Sequence, residues 1–167
     1  PHQKLLNQEF NNNLVSTNLV ASNTPIVQLA THGQFSSKAE DTFILTWDNR
    51  LGLDRLSNLL QDRGTRSNSA IDLLVLSACQ TATGDNRATL GLAGVAIKAR
   101  AKSTIASLWS VSDEATQSLM INLYQNLASK NLNKGESLKL AQQNLLQNPK
   151  YRSPYYWAPF VLVGNWQ

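Results

Sequence analysis

The feature that most constrains the fold is a nearly continuous apolar run of strand length, Ile71-Asp72-Leu73-Leu74-Val75-Leu76-Ser77. Successive side chains of a strand point to opposite faces of a sheet, so a strand that is apolar at almost every position must be covered on both faces. Such strands are typical of parallel sheets with helices on either side. The run therefore predicts the central strand of an α/β protein.

Helices and strands alternate around this run. The predicted strands are Pro25–Ala30, Thr42–Trp47 in a peripheral hairpin, Ser103–Trp109, and Ala158–Val163, which Gly164 closes. The predicted helices are Leu5–Val20, Leu53–Leu60, Leu90–Lys102, one capped by Ser112 that runs to about Lys130, and Gly135–Gln147. The polar segment Gln61–Ser69, which contains Gly64, predicts an exposed loop. This order predicts an α/β/α sandwich with a mostly parallel sheet.

Length and composition predict one domain. The chain has 167 residues, of which 42% are hydrophobic, enough for a single continuous core. We therefore expect one domain over residues 1–167, with 1–24 as an N-terminal helix and linker. No apolar run approaches the roughly 18 residues of a membrane span and no signal-peptide pattern opens the chain, so we expect no membrane association and a cytoplasmic location.

The charges and the cysteine content exclude several function classes. The net charge of +4 comes from scattered lysines and arginines, including Arg63, which predicts solvated faces and no nucleic-acid binding. One cysteine excludes an internal disulfide, and the two histidines lie too far apart for a zinc-type cluster. We expect no metal and no cofactor.

Two reactive side chains follow neighbouring predicted strands. His32 comes after the strand that ends at Ala30, and Cys79 comes after the strand that ends at Ser77. Loops converge beyond the carboxyl ends of parallel strands, so both groups should leave the sheet at the same edge. An imidazole near a thiol raises the thiolate fraction and can then protonate a leaving amine. His32 and Cys79 are therefore a candidate catalytic pair.

The backbone around this pair suits the same chemistry. Gly33 has no side chain, so a substrate carbonyl can approach its amide, and the amide of Cys79 is the second candidate donor to an oxyanion. Taken singly, each residue has a structural alternative: a lone cysteine is usually a small buried hydrophobe, and a lone histidine beside a glycine is usually a satisfied loop residue. His32 and Cys79 are 47 positions apart, close to the separation of about 50 in caspases, but spacing alone is weak support.

Three motifs together resemble the CHAT domain: Leu29-Ala30-Thr31-His32-Gly33, Leu74-Val75-Leu76-Ser77-Ala78-Cys79-Gln80-Thr81 and Ser107-Leu108-Trp109-Ser110-Val111-Ser112-Asp113-Glu114. The resemblance continues through Gly91-Leu92-Ala93-Gly94 and Tyr156-Trp157-Ala158-Pro159-Phe160-Val161-Leu162-Val163-Gly164, and so spans Pro25 to Trp166. It implies a caspase-like fold related to separase, and the chain is most similar to cyanobacterial members.

The resemblance implies a cysteine endopeptidase that cleaves a protein or peptide through the dyad His32 and Cys79. Because Cys79 lacks the caspase Gln-Ala-Cys-x-Gly context, aspartate specificity does not carry over. Asp113 matches the acidic position that faces the substrate P1 side chain in separase-like relatives, which favours a basic P1 residue. Asp113 as a cap of the helix that begins near Ser112 is an equal alternative. A catalytically inactive docking or scaffold module is the alternative for the whole domain.

The resemblance also implies partners. CHAT domains commonly follow tetratricopeptide or other helical repeats, so we expect regulation by an upstream repeat region of the parent chain. Caspase-like folds begin with strands ahead of the histidine-bearing strand, and only one predicted helix precedes Pro25. We therefore expect this chain to be the distal part of a larger domain that lacks its N-terminal strands. Association with the missing segment, or a dimer, would cover the open strand edge.

Overall fold

A computed structural model describes residues 3–36, 38–67, 71–77, 79–81, 100–129 and 131–167. The helices are α1 (Asn12–Ala21), α2 (Leu53–Ser67), α3 (Asp113–Leu127), α4 (Lys134–Gln147) and the short α5 (Pro154–Trp157). The strands are β1 (Ile26–Leu29), β2 (Gly33–Phe35), β3 (Phe43–Leu45), β4 (Arg50–Gly52), β5 (Leu73–Leu76), β6 (Cys79–Thr81), β7 (Ser103–Ser107) and β8 (Phe160–Gly164). Two 3-10 turns span Asn7–Glu9 and Ala39–Asp41.

The larger sheet has the strand order β1-β5-β7-β8. β5 lies between β1 and β7 and runs parallel to both, whereas β8 is antiparallel to β7. Every residue of β5 is buried, as expected for a strand that is covered on both faces. The mixed α/β fold with a mostly parallel sheet and the central position of β5 are therefore confirmed.

Helices cover both faces of this sheet, and the side chains of β5 divide between two cores. Leu74 and Leu76 pack on one face in a core that includes residues of α1 and α2. Leu73 and Val75 pack on the other face in a core that includes residues of α3 and α4. This alternation follows from the two-residue period of a strand. Helices α1 and α2 thus form one outer layer and α3 and α4 the other.

A second sheet of order β4-β3-β2-β6 continues beyond the end of the first. β3 and β4 form the predicted hairpin, and β3 also pairs with β2 in antiparallel orientation. β2 follows β1 along the chain and β6 follows β5, and these two continuations pair in parallel, as β1 and β5 do. The hairpin is therefore joined directly to the strand that follows His32.

The predicted loop over Gln61–Ser69 is wrong as far as Ser67, because α2 continues to that residue, and positions 68 and 69 lie outside the described residues. Leu53, Leu56 and Leu60 are buried at helical spacing, and Arg63 extends the same face by one turn. Arg63 is fully buried, not on a solvated face, and its Nη2 donates a hydrogen bond to the Thr24 carbonyl. Packing of this face against the sheet outweighs the polar composition of the segment and the helix-weakening Gly64.

The predicted helix over Leu5–Val20 is too long at its N-terminal end. Helix α1 begins at Asn12, and the Asn11 side chain accepts a hydrogen bond from the Leu14 amide at 2.9 Å. Asparagine favours the N-cap, because its side chain satisfies an amide that has no partner within the helix. The asparagine run therefore forms the cap and the first two residues of the helix.

The predicted helix over Leu90–Lys102 lies mostly outside the described residues, as do Gly91 and Gly94. Its last three positions are described and are not helical: Arg100 has a φ of 50° in a turn that precedes β7. The other predicted helices and strands are confirmed to within a few residues at their ends. Among the helices that the structure describes, none is both long and apolar enough to cross a membrane.

Candidate active site

Three parallel strands deliver the predicted site residues to one edge of the larger sheet. The chain leaves the C-terminal end of β1 toward His32, that of β5 toward Cys79, and that of β7 toward Asp113 at the start of α3. Because β5 lies between the other two, the Cys79 segment leaves the sheet between the segments that carry His32 and Asp113. This is the edge at which α/β proteins place their ligands.

The strands that carry the dyad candidates are direct neighbours. Gly33, which follows His32, pairs with Cys79 in the parallel register of β2 and β6. Adjacent strands lie about 4.8 Å apart. The structure describes Cys79 by its backbone, and its sulfur lies outside what is described. The backbone thus brings the two predicted catalytic positions together across one pair of strands.

One extra residue interrupts this pairing on the histidine side. Residues 30–32 separate Leu29 from Gly33, whereas only residues 77 and 78 separate their partners Leu76 and Cys79. The connection between the paired stretches is thus one residue longer on the histidine side, and we call residues 30–32 the bulge. His32 lies in this bulge, and its side chain is exposed.

The bulge is held from the side by the last residue of β3. The Leu45 amide donates to the His32 carbonyl at 2.7 Å, and the Thr31 hydroxyl donates to the Leu45 carbonyl at 2.6 Å. Sequence analysis did not identify either contact. Leu45 belongs to the predicted hairpin, but no local pattern shows that a hairpin strand returns beside a given loop.

Gly33 lies beside Cys79 in the paired strands, and its predicted role as an oxyanion donor stays a prediction. The His32 carbonyl accepts a hydrogen bond from Leu45 of β3. Backbone groups of successive residues in an antiparallel strand point to opposite sides, so the amide of Gly33 points away from β3 and toward β6, which contains Cys79. Gly33 is also buried. The two amides named as oxyanion donors therefore belong to paired residues on neighbouring strands.

Asp113 is exposed and is the first residue of α3. The helix cap is Ser112, whose side chain accepts a hydrogen bond from the Ala115 amide at 3.3 Å. The side chain that caps the helix by a hydrogen bond is therefore that of Ser112, but the Asp113 carboxylate in the first turn still interacts favourably with the helix dipole, so the structural alternative stays open beside the P1 role. Its carboxylate has no hydrogen-bond or ion-pair partner among the described residues.

The next residue, Glu114, is in the opposite situation. Its Oε1 lies 2.5 Å from Nζ of Lys150. The hydrogen bond from Lys150 is the main reason why the pKa of the Glu114 carboxyl lies below its usual value, and the same bond raises the pKa of Lys150. Of two adjacent carboxylates at this edge, one is thus already paired and the other is available to a cation.

The segment between β7 and α3 is held by the chain around α5. The Leu108 amide donates to the Pro159 carbonyl at 2.9 Å, and the Trp109 indole donates to the Tyr155 carbonyl at 3.0 Å. The Tyr155 hydroxyl in turn donates to the Ser110 carbonyl at 2.8 Å. The indole of Trp109 is half-buried and anchors the segment that leads to Asp113.

The described residues contain no group of three or more histidine, cysteine, aspartate or glutamate side chains arranged to hold a metal ion. The chemistry that these residues can support is that of a thiol, an imidazole, backbone amides and one unpaired carboxylate. These are the components of a cysteine peptidase site.

Comparison with protein families gives one match. A model of the CHAT domain matches residues 2–165. The chain belongs to the CHAT domain family. The match includes the N-terminal helix, which the sequence motifs left outside the resemblance, and CHAT domains are related to caspase-like cysteine peptidases. No curated protein matches the chain.

Proposed function

We propose that this CHAT domain is a cysteine endopeptidase with Cys79 as nucleophile and His32 as general base and acid. The observation that carries the proposal is the parallel pairing of Cys79 with Gly33, the residue that follows His32, at the C-terminal edge of the sheet. Membership of a peptidase-related family supports the same reaction class.

In the proposed reaction, the His32 imidazole takes the proton of the Cys79 thiol, and the thiolate attacks the carbonyl carbon of the scissile peptide bond. The amides of Gly33 and Cys79 stabilise the negative charge that develops on the carbonyl oxygen. The carbon–nitrogen bond then breaks as the imidazolium gives its proton to the leaving amine, and a thioester remains. Water, deprotonated by His32, hydrolyses the thioester to a carboxylic acid and regenerates the thiol.

We further propose that Asp113 selects substrates with arginine or lysine at P1. Its carboxylate is unpaired among the described residues, whereas Glu114 beside it is occupied by Lys150. A guanidinium can bond a carboxylate with two parallel hydrogen bonds, which adds directional specificity to the charge attraction. Regulation by an upstream repeat region of the parent chain, and association through a missing N-terminal segment or a dimer, stay predictions.

The nucleophile can be tested by alkylation, because Cys79 is the only cysteine in the sequence. We expect iodoacetamide to label the wild-type protein faster at neutral pH than a free model thiol, and Cys79→Ala to lose peptide cleavage by at least about a thousandfold. Labelling at the rate of a model thiol, together with unchanged cleavage by Cys79→Ala, contradicts the peptidase function. The alternative, an inactive docking module, predicts labelling at the rate of a model thiol and no cleavage by either protein.

The P1 preference can be tested with a matched pair of variants. Asp113→Asn should lower kcat/KM for a peptide with P1 arginine by about tenfold, and should leave a P1 glutamine peptide unchanged. Glu114→Gln removes the neighbouring carboxylate, which is already paired with Lys150, and should keep the preference for arginine. Equal turnover of the two peptides before and after Asp113→Asn contradicts the assignment without affecting the dyad.

A further inference from the structure

We propose that Thr31 is a positioning residue for His32 and that its hydroxyl holds the bulge from which the imidazole projects. This inference rests on the proposed dyad and adds to it a residue outside the reacting groups. The hydroxyl is the only part of Thr31 on which the proposal depends, because it is the atom that bonds to the neighbouring strand.

The bulge is fixed at two points, and both are on Leu45. The Leu45 amide donates to the His32 carbonyl at 2.7 Å, and the Leu45 carbonyl accepts from the Thr31 hydroxyl at 2.6 Å. The first bond ties the main chain of the catalytic residue, and the second ties the residue before it. Together they attach two consecutive residues of the bulge to the backbone of Leu45.

Leu45 is a firm anchor because of its neighbour in β3. Ile44 is 1% exposed, belongs to the core beside α2, and pairs with Gly33 on one side and Leu51 on the other. The side chain of Leu45 itself is partly exposed, so its role at this point is carried by the backbone. The Thr31 hydroxyl therefore connects the bulge to a strand that is held by the core.

Holding the bulge matters because proton transfer depends on distance. The imidazole must lie within about 3 Å of the thiol to exchange a proton with it. Residues 30–32 lie between the paired stretches of β1 and β2, so they lack the ladder hydrogen bonds that constrain a regular strand. A displacement of about 1 Å in a reacting group can cost on the order of a hundredfold in rate.

The test uses three substitutions at Thr31 and one matched control. Thr31→Val keeps the shape and removes the hydroxyl, Thr31→Ala removes it without adding a methyl group, and Thr31→Ser retains it. The control is Thr46→Val, because the Thr46 hydroxyl also donates to a main-chain carbonyl at 2.6 Å, that of Asn49 in the turn of the same hairpin. Each protein is compared by the pH profile of Cys79 alkylation with iodoacetamide and by exchange of the Leu45 amide proton.

Loss of the hydroxyl should affect the thiol and the bond to His32 together. We expect Thr31→Val and Thr31→Ala to slow alkylation at neutral pH about tenfold and to move the profile toward that of a free thiol, near pH 8.5. The Leu45 amide should exchange about fivefold faster, as expected for the loss of a supporting hydrogen bond. With a peptide substrate, kcat should fall while KM is unchanged. Thr31→Ser and Thr46→Val should behave like the wild type.

Suppose that the wild-type thiol is activated and that Thr31→Val and Thr31→Ala keep the wild-type pH profile of alkylation. This result overturns the role of Thr31 and is compatible with the dyad. Equal slowing by Thr46→Val also overturns it, because loosening of the hairpin would then be the cause. A wild-type thiol with the profile of a free thiol overturns the dyad and, with it, this proposal. The wild-type profile therefore tells the two failures apart.

Discussion

The two edges of the central sheet differ in how their charged groups are paired. At the N-terminal edge, Asp72 lies between two lysines, 3.5 Å from Nζ of Lys102 and 3.2 Å from Nζ of Lys134. The Lys134 side chain is 9% exposed, and its Nζ also donates to the Gln167 carbonyl at 2.7 Å. Every charge in this group faces a partner.

At the C-terminal edge, the groups of the proposed site are not paired in this way. His32 and Asp113 are exposed, and the Asp113 carboxylate has no described partner. A buried charge must be paired because leaving water is costly, whereas an exposed carboxylate keeps its hydration until a ligand replaces it. The charged groups at the N-terminal edge therefore pair with one another and connect parts of the fold. At the C-terminal edge, the Asp113 carboxylate has no such structural partner among the described residues.

The largest effect should come from the close contact that completes the N-terminal edge. Gly164 has a φ of 104°, and a Cβ there would lie 2.4 Å from the Lys102 carbonyl oxygen. Gly164→Ala should therefore lower the free energy of unfolding by about 2 to 4 kcal/mol, through backbone strain and overlap with β7. Urea unfolding followed by circular dichroism measures this loss.

Gly52→Ala is the matched control for this substitution. Gly52 lies in β4, and a Cβ there would meet nothing within 4 Å. Its replacement should change the free energy of unfolding by less than about 1 kcal/mol. Similar losses at both glycines would show that the contact between Gly164 and Lys102 is not what completes this edge.

A smaller effect should separate the two aspartates. Asp72→Asn removes the countercharge of the largely buried Lys134, and should lower the free energy of unfolding by about 1 to 2 kcal/mol. Asp113→Asn, at the other edge, should change it by less than about 0.5 kcal/mol, because no described group depends on that carboxylate. Unfolding of both variants under the same conditions gives the comparison, and equal losses would remove the distinction between the edges.

The smallest effect concerns the exposed pair of Glu114 and Lys150 at the C-terminal edge. The pKa of the Glu114 carboxyl is lowered in the fold, so its contribution to stability is present above the unfolded pKa and is lost as pH falls through the folded one. Because both groups are exposed, the change in stability should be small and should weaken with salt.

A carbon-13 titration of the glutamate carboxyls measures this directly. Lys150→Met should raise the pKa of Glu114 toward its usual value, because the hydrogen bond from Lys150 is the main cause of the shift. Lys139→Met removes an exposed lysine of α4 and should leave the Glu114 titration unchanged. An unchanged titration in Lys150→Met would mean that Glu114 is as free as Asp113, and the contrast between these neighbours would no longer support the P1 assignment.

Packing explains where the sequence failed to predict the fold. The polar stretch after Leu60 reads as a loop, yet α2 continues because Arg63 lies on the face that the sheet buries. A buried arginine cannot be told from a solvated one by composition, since the difference lies in which surface covers it. The start of α1 was predicted too early, although the sequence around it carries a local signal: asparagine is unfavourable inside a helix and favourable at the N-cap.

The amino-acid sequence was enough to predict the central strand, the alternation of helices and strands, and the strands after which His32, Cys79 and Asp113 come. These depend on hydrophobic period and on chain order, which are local properties. The three-dimensional structure was needed to show that Gly33 pairs with Cys79, that the histidine segment is one residue longer than its neighbour, and that Leu45 bonds to it. Register and bulges arise from the fit between strands that are distant along the chain, so no single segment encodes them.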